Sequence, residues 1–123
     1  MTSTSNMPEL TKEHQTLLLN SLKKTVRHTI TTGQDKVVKV EELDLLLLST
    51  VKGDQLQVPV FQLSQCTFED ETPSELPPPM YIGTYHKEHG FSATVNPQIE
   101  GTSYEVMCRH LHFCLEISFK QPK

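Results

Sequence analysis

Cysteine and histidine alternate with other residues in one stretch near the end of the sequence, CRHLHFC at positions 108–114. If this stretch is a β-strand, Cys108, His110, His112 and Cys114 project from the same face, because successive strand side chains point to opposite sides. Two imidazoles at positions i and i+2 then lie ~7 Å apart and can share one metal ion. The pattern therefore raises a metal site as one hypothesis, with His110, His112 and Cys108 as candidate ligands.

The metal hypothesis is weakened by the spacing of the other donors. Cys108 and Cys114 would lie about 20 Å apart at ~3.4 Å per residue, so they cannot both join the site. A third ligand would have to come from elsewhere, with His86, His89 and Glu105 as the candidates. The simpler interpretation is that these residues fill the less apolar face of a strand, and we expect neither a metal nor another cofactor.

The same residues could in principle provide a thiol nucleophile with a histidine base. Such a pair needs direct hydrogen-bonding reach, and Cys108 and His110 on one strand lie slightly too far apart for it. Paired acidic residues fall in a strand or in a solvated loop, and the five glycines are scattered singly rather than grouped in a phosphate-binding loop. The sequence therefore favours a protein without catalytic activity and offers no catalytic residue.

The element that would position these residues is a C-terminal strand. Over residues 104–119 the apolar side chains alternate strictly from position 111 onward, as Leu111, Phe113, Leu115, Ile117 and Phe119. Period-two alternation is typical of a half-buried strand. We therefore predict a long β-strand here, the last of the chain.

The N-terminal part predicts an amphipathic helix. Thr11 can accept hydrogen bonds from the first-turn N–H groups, and Gly33 is suited to end the helix. Between them, apolar residues recur every four positions and form one buried stripe; they are Leu18, Leu22, Val26 and Ile30.

The middle of the chain predicts two hairpins. Residues 36–51 are expected to form a long strand bulged at Glu41-Glu42, with a helix over residues 40–52 as the alternative. A turn at residues 52–54 leads to a strand over 56–68, which Pro59 would place at a sheet edge or break with a bulge. Residues 80–86 and 91–95 form the second hairpin, in which Gly83 indicates a bulge or a close backbone approach.

These elements predict an α+β fold, with one N-terminal helix packed on a mainly antiparallel sheet of about five strands, in the order α-β-β-loop-β-β-β. Residues 1–8 are expected to be flexible and residues 9–123 to form a single domain, since 123 residues leave little room for two cores. Residues 69–79 carry four acidic residues and end in three prolines, which predicts a loop.

Composition limits the partners. The net charge is −4, so the sequence lacks the basic surface that nucleic-acid binding requires. No apolar run is long enough to span a membrane, and three widely spaced cysteines favour a reducing compartment, the cytoplasm or nucleus.

We therefore expect a protein–protein interaction module, a small adaptor or accessory protein. The alternative is a small-molecule carrier or enzyme with a cavity between helix and sheet. Because residues 111–119 of the C-terminal strand carry a single charge, Glu116, and no proline, we also predict a homodimer, formed by strand pairing or by packing of sheet faces.

Overall fold

The computed structural model describes the backbone of residues 11–119 and the side chains of residues 11–117. The predicted flexible segment, residues 1–8, lies outside this range. Within the described residues, two helices and seven strands follow one another as α1 (Lys12–Thr32), β1 (Lys36–Val40), β2 (Leu45–Lys52), β3 (Gln55–Gln62), β4 (Thr67–Glu69), β5 (Thr72–Glu75), β6 (Tyr81–His86), β7 (Gly90–Val95) and α2 (Ser103–Phe119). Five strands form one antiparallel sheet in the order β1-β2-β3-β6-β7. The predicted α+β class, a helix on a mainly antiparallel five-stranded sheet, is confirmed.

Helix α1 begins and ends where the sequence predicts. The Thr11 side chain accepts the His14 N–H at 3.0 Å, and Gly33 ends the helix with a φ of 74°. The helix packs on β1 and β2 through Leu18, Leu22 and Val26. The prediction for Ile30 is wrong, since this side chain is 58% exposed.

In the last turns of α1, buried threonines face the sheet where the sequence predicts the apolar side chain of Ile30. Thr25 and Thr29 are fully buried against Ser49 of β2. The Ser49 hydroxyl donates to the Thr25 carbonyl at 3.1 Å and also hydrogen-bonds the Thr29 hydroxyl. Buried hydroxyl groups need such partners, so this small network fixes the position of α1 on the sheet.

The first predicted strand is two strands. A short 3₁₀ turn over Glu41–Leu43 separates β1 from β2, and these strands pair with each other as a hairpin. Asp44 follows the turn in the left-handed region with a φ of 58°. The helical alternative for residues 40–52 is wrong, whereas the predicted hairpin turn between β2 and β3 is confirmed.

The prediction that Pro59 marks a sheet edge is wrong, because β3 lies in the middle of the sheet. The β2–β3 register is the same on both sides of Pro59, so there is no bulge either. Instead, the pairing is interrupted between Leu47–Val60 and Thr50–Gln57. The gap lies at the proline, which has no N–H to donate.

The strand predicted over residues 56–68 ends at Gln62, and the acidic segment over residues 69–79 is not a simple loop. Its first part belongs to a small hairpin, β4–β5. The Lys39 ammonium lies 4.3 Å from the centre of the Phe68 ring, which places this hairpin against the sheet face that α1 leaves open. Leu46 and Phe61, paired across β2 and β3 next to Lys39, are buried there.

The predicted C-terminal strand over residues 104–119 is wrong, because residues 103–119 form helix α2. This helix lies beside α1 and covers β6 and β7. In a helix, residues two apart are turned by about 200°, so the alternating apolar residues point to opposite sides. Leu111 and Leu115 are buried, whereas Phe113 and Ile117 are 55% and 51% exposed.

Gly83 allows α2 to approach the sheet. A β-carbon at this position would lie 2.7 Å from Leu115 Cδ1 and 2.8 Å from the Tyr81 hydroxyl. The register of β6 is regular on both sides. Of the two predicted roles of Gly83, the close approach is therefore confirmed and the bulge is wrong.

Candidate binding groove

A groove of about 710 Å³ lies between helix α2 and the edge strand β7. Phe91, Ala93 and Val95 of β7 form one wall. The opposite wall consists of α2 side chains that share one side of the helix; they are Glu105, Cys108, Arg109 and His112. The volume falls within the range of about 300–1,000 Å³ that is typical of ligand sites.

Three aromatic rings form the base of the groove. A hydrogen bond of 3.0 Å joins the Tyr81 hydroxyl to His112 Nδ1. The His112 ring stacks on Phe91, with ring centres 4.9 Å apart and an interplanar angle of 25°. On the other side, His112 Nε2 lies 4.0 Å from Glu116 Oε2. The imidazole is thus held in one orientation by groups from both walls.

A charged cluster lies at the N-terminal end of α2. The Glu105 carboxylate accepts the Gly101 N–H at 2.8 Å and pairs with the Arg109 guanidinium at 2.8 Å. The backbone hydrogen bond from Gly101 and the bond from Arg109 hold the pKa of Glu105 below its usual value. These two charges match each other, and Glu100, which also lines this end of the groove, adds one negative charge.

The backbone of β7 presents hydrogen-bonding groups to the open side of the groove. The Asn96 N–H donates to the Met80 carbonyl at 2.9 Å, which makes Asn96 and Met80 a hydrogen-bonded pair. Because such pairs alternate along an antiparallel ladder, Thr94 bonds inward to β6 while Ala93 and Val95 direct N–H and C=O outward. Within residues 11–119, only β6 pairs with β7.

The composition of β7 leaves this edge without the usual protection. Its sequence GFSATV contains neither a charge nor a proline, whereas the other edge strand, β1, carries Lys36 and Lys39. Charged residues and prolines are the features that prevent edges from pairing with other chains. Val95 is also 45% exposed.

The groups that could act as nucleophiles in the groove are strongly perturbed by burial. Burial raises the pKa of the Cys108 thiol to about 12. Burial, together with the nearby Cys108 and Glu116, also raises the pKa of the Tyr81 hydroxyl. Both groups are therefore protonated at neutral pH, where a thiol or phenol nucleophile would have to be ionised.

The structure separates the residues that the sequence grouped as a metal site. His112 and Cys108 line the groove, but His110 lies on another side of α2 with its ring 6.3 Å from that of Phe113. The four Cys and His side chains therefore do not share one face as predicted, because the segment is a helix. Within the described part of the chain, no group of three or more His, Cys, Asp or Glu side chains could hold a metal ion.

The other candidate ligands also lie apart. Cys114 is buried against α1, and burial raises the pKa of its thiol although the nearby Lys23 ammonium lowers it. His86 and His89 stack on each other at the turn between β6 and β7, with ring centres 4.4 Å apart. Glu105 is held by Arg109.

The groove does not follow from the sequence prediction because the segment that forms its second wall was expected to be a strand and is helix α2. A second pattern was present in the same residues, with apolar or small side chains spaced three to four apart, the spacing of a buried helical stripe. These residues are Tyr104, Met107, Cys108, Leu111, Cys114 and Leu115. All of them face inward in α2.

Helices α1 and α2, as far as the structure describes them, are too short or too polar to cross a membrane. Comparison of this chain with models of protein families, with curated proteins and with solved structures finds no match.

Proposed function

We propose that this protein is a non-catalytic interaction module that binds an extended segment of a protein chain, by adding it as a further strand to β7. The observation that carries the proposal is the unprotected edge of β7, with α2 forming the opposite wall of a groove. An added strand gains main-chain hydrogen bonds from the edge, and side-chain pockets beside it give specificity. An adaptor or accessory role follows from this mode of binding.

The outward groups of Ala93 and Val95 provide the main-chain contacts in this proposal. Every second side chain of the added strand would point into the groove, towards the wall formed by Phe91, Ala93 and Val95. The polar groups of Arg109 and His112 lie opposite. The preferred partner is therefore an uncharged or alternately apolar segment, since most of the groove is apolar and the charges of Glu105 and Arg109 are paired with each other.

The test uses a displayed library of short random peptides on the immobilised full chain. Ala93→Pro removes an outward N–H but no bond to β6, a position that edge strands tolerate. Ala93→Ser is the matched control because it retains the N–H. We expect the selected peptides to bind the unmodified protein and the Ala93→Ser variant equally well. Their affinity for the Ala93→Pro variant should be lower by about tenfold or more. In the unmodified protein, bound peptide should slow hydrogen exchange at the Ala93 and Val95 amides. Unchanged binding to a folded Ala93→Pro variant would contradict the proposal.

A second candidate function is the binding of a small apolar molecule, as a carrier or an enzyme. The observation that favours it is the volume of the groove together with the hydroxyl of Tyr81 and the ring of His112. This groove lies beside α2 and not beneath α1, where the side chains of Leu22 and Val26 fill the core. A fluorescent apolar dye distinguishes the two functions: its binding would depend on Tyr81 and not on the N–H of Ala93.

The three cysteines bear on the proposed location. All are free thiols, and Cys108 and Cys114 are buried. Free thiols persist in the cytoplasm and nucleus, where disulfides are rare, so we place the protein in one of these compartments. Fluorescence microscopy of a tagged chain tests this placement.

A further inference from the structure

We infer that the strand that β7 receives is β7 of a second copy of this chain, related by a two-fold axis at Ala93. This inference rests on the proposed function, because it uses the same edge. It replaces the predicted pairing through the C-terminal segment, which the helical structure of α2 excludes. Two-fold dimers are the most common assembly of soluble proteins.

The hydrogen bonds of β7 fit this symmetry. Ala93 directs its N–H and C=O away from β6, and it lies at the centre of the five residues from Phe91 to Val95. When two copies pair antiparallel with Ala93 opposite Ala93, each residue donates to the other's carbonyl, which is the hydrogen-bonded pair of an antiparallel ladder. The two bonds are related by the axis, so both copies contribute equally.

The side chains of β7 are complementary in the same register. Phe91 of one copy lies opposite Val95 of the other on the groove side, an aromatic and β-branched pair that stabilises sheets. On the other face Ser92 lies opposite Thr94, and two hydroxyl side chains can hydrogen-bond across the strands. Val95, which is 45% exposed in the single chain, would thus be covered by the Phe91 ring of the other copy.

Neighbouring registers are less favourable. A shift of two residues in one direction places Phe91 opposite Pro97, and a shift in the other places Val95 opposite His89. Both of these residues lie outside β7, in the segments that end the strand. Only the register centred on Ala93 pairs the whole of Phe91–Val95 with itself.

The other edge of the sheet does not offer such a partner. Strand β1 carries Lys36 and Lys39. Pairing this strand with a second copy would bring positive charges of the two copies together, and like charges on adjacent strands are destabilising. The same comparison predicts which substitutions would disrupt pairing at β7.

The experiment measures the mass of the full chain by sedimentation equilibrium over a dilution series. Ser92 and Thr94 are exposed, so charges there leave the core unchanged. In the proposed register, the double variants Ser92→Lys/Thr94→Lys and Ser92→Glu/Thr94→Glu place like charges opposite each other in both cross-strand pairs. We expect the unmodified chain to rise from 14.0 kDa towards twice that mass, and each double variant to associate at least about tenfold more weakly.

An equimolar mixture of the lysine and glutamate variants is the decisive sample, because opposite charges then face each other. We expect it to regain the dimer and to lose it again as salt is added. A constant mass of 14.0 kDa for the unmodified chain up to about 0.5 mM would overturn the dimer. A dimer that neither variant weakens would overturn the register.

Failure of this inference can be told apart from failure of the proposed function. A monomeric chain that still binds selected peptides through the Ala93 N–H would overturn the second copy as occupant and retain the strand-binding edge. A monomeric chain that binds no peptide would overturn both.

Discussion

Substitution of Gly83 by alanine tests how closely helix α2 packs on β6. The added methyl group would lie 2.7 Å from Leu115 Cδ1 and 2.8 Å from the Tyr81 hydroxyl, whereas carbon contacts are favourable at about 3.5–4.0 Å. Leu115 and Tyr81 are both 1% exposed, so neither can move into solvent. Overpacking of this kind costs about 1–3 kcal/mol.

Part of this cost is offset in the unfolded state. Replacing glycine by alanine restricts the unfolded chain and stabilises the protein by about 0.4–1 kcal/mol. We therefore expect a net loss of about 1–2 kcal/mol, measured by urea unfolding at equilibrium. The melting temperature should fall by about 5 °C or more.

A second substitution in the same contact provides the control. Leu115→Val shortens the side chain that meets the new methyl group. Alone it should cost about 1 kcal/mol through the lost burial, but in the Gly83→Ala background it should cost at least about 0.5 kcal/mol less, because it relieves the clash. Equal or greater stability of Gly83→Ala, or strict additivity of the two changes, would contradict the close packing described for α2.

Three further predictions concern other parts of the fold. Burial alone would raise the pKa of Asp44, but hydrogen bonds from Tyr104, Ser64 and Gln62 outweigh it and lower this pKa below its ordinary value of 3.8. The resulting stabilisation of the folded state is present above pH 3.8. It is lost as the pH falls through the lower pKa that Asp44 has in the folded protein. Asp44→Asn, which tolerates the same φ, should therefore lower stability by roughly 1 kcal/mol at neutral pH and show a weaker acid dependence in urea titrations; an unchanged acid dependence would count against this. Ser49→Ala should cost about 1 kcal/mol in urea unfolding because it removes the hydrogen bonds of the Ser49 hydroxyl to the Thr25 carbonyl and the Thr29 hydroxyl, while Thr29 can still donate to the Thr25 carbonyl; a neutral result would mean that the Ser49 hydroxyl contributes nothing. A thiol reagent at neutral pH should modify the partly exposed Cys66 in the native protein and all three cysteines in urea; rapid native labelling of more than one would contradict the burial of the other two.

Several elements follow from local sequence alone. Helix α1 is defined by Thr11, Gly33 and a four-residue apolar repeat, all of which act within a few residues of the chain. The hairpins at residues 52–55 and 86–90 follow from turn residues between alternating segments. Such signals are strong because the interactions that they report are local.

The boundaries in the middle of the chain depend on packing. In residues 36–51 the acidic side chains of Glu41, Glu42 and Asp44 interrupt the β-branched and leucine residues, so the sequence predicts an irregularity there but not that the chain reverses direction in a 3₁₀ turn. Tyr104, which is far away in sequence, donates its hydroxyl to Asp44 at 2.7 Å and helps to hold the left-handed residue in place. A contact across sixty positions cannot be read from a local pattern.

The sequence by itself determined the α+β class, the N-terminal helix and both hairpins. The conformation of residues 103–119 was decided only by the tertiary structure, because their apolar residues fit both a two-residue and a three-to-four-residue repeat. Helix α1 covers β1 and β2 and leaves β6 and β7 open, and Gly83 makes room for Leu115 on that surface. A helix buries Leu111, Cys114 and Leu115 together there, at the expense of exposing Phe113 and Ile117. The groove beside β7 also depends on this packing, because its second wall is formed by helix α2.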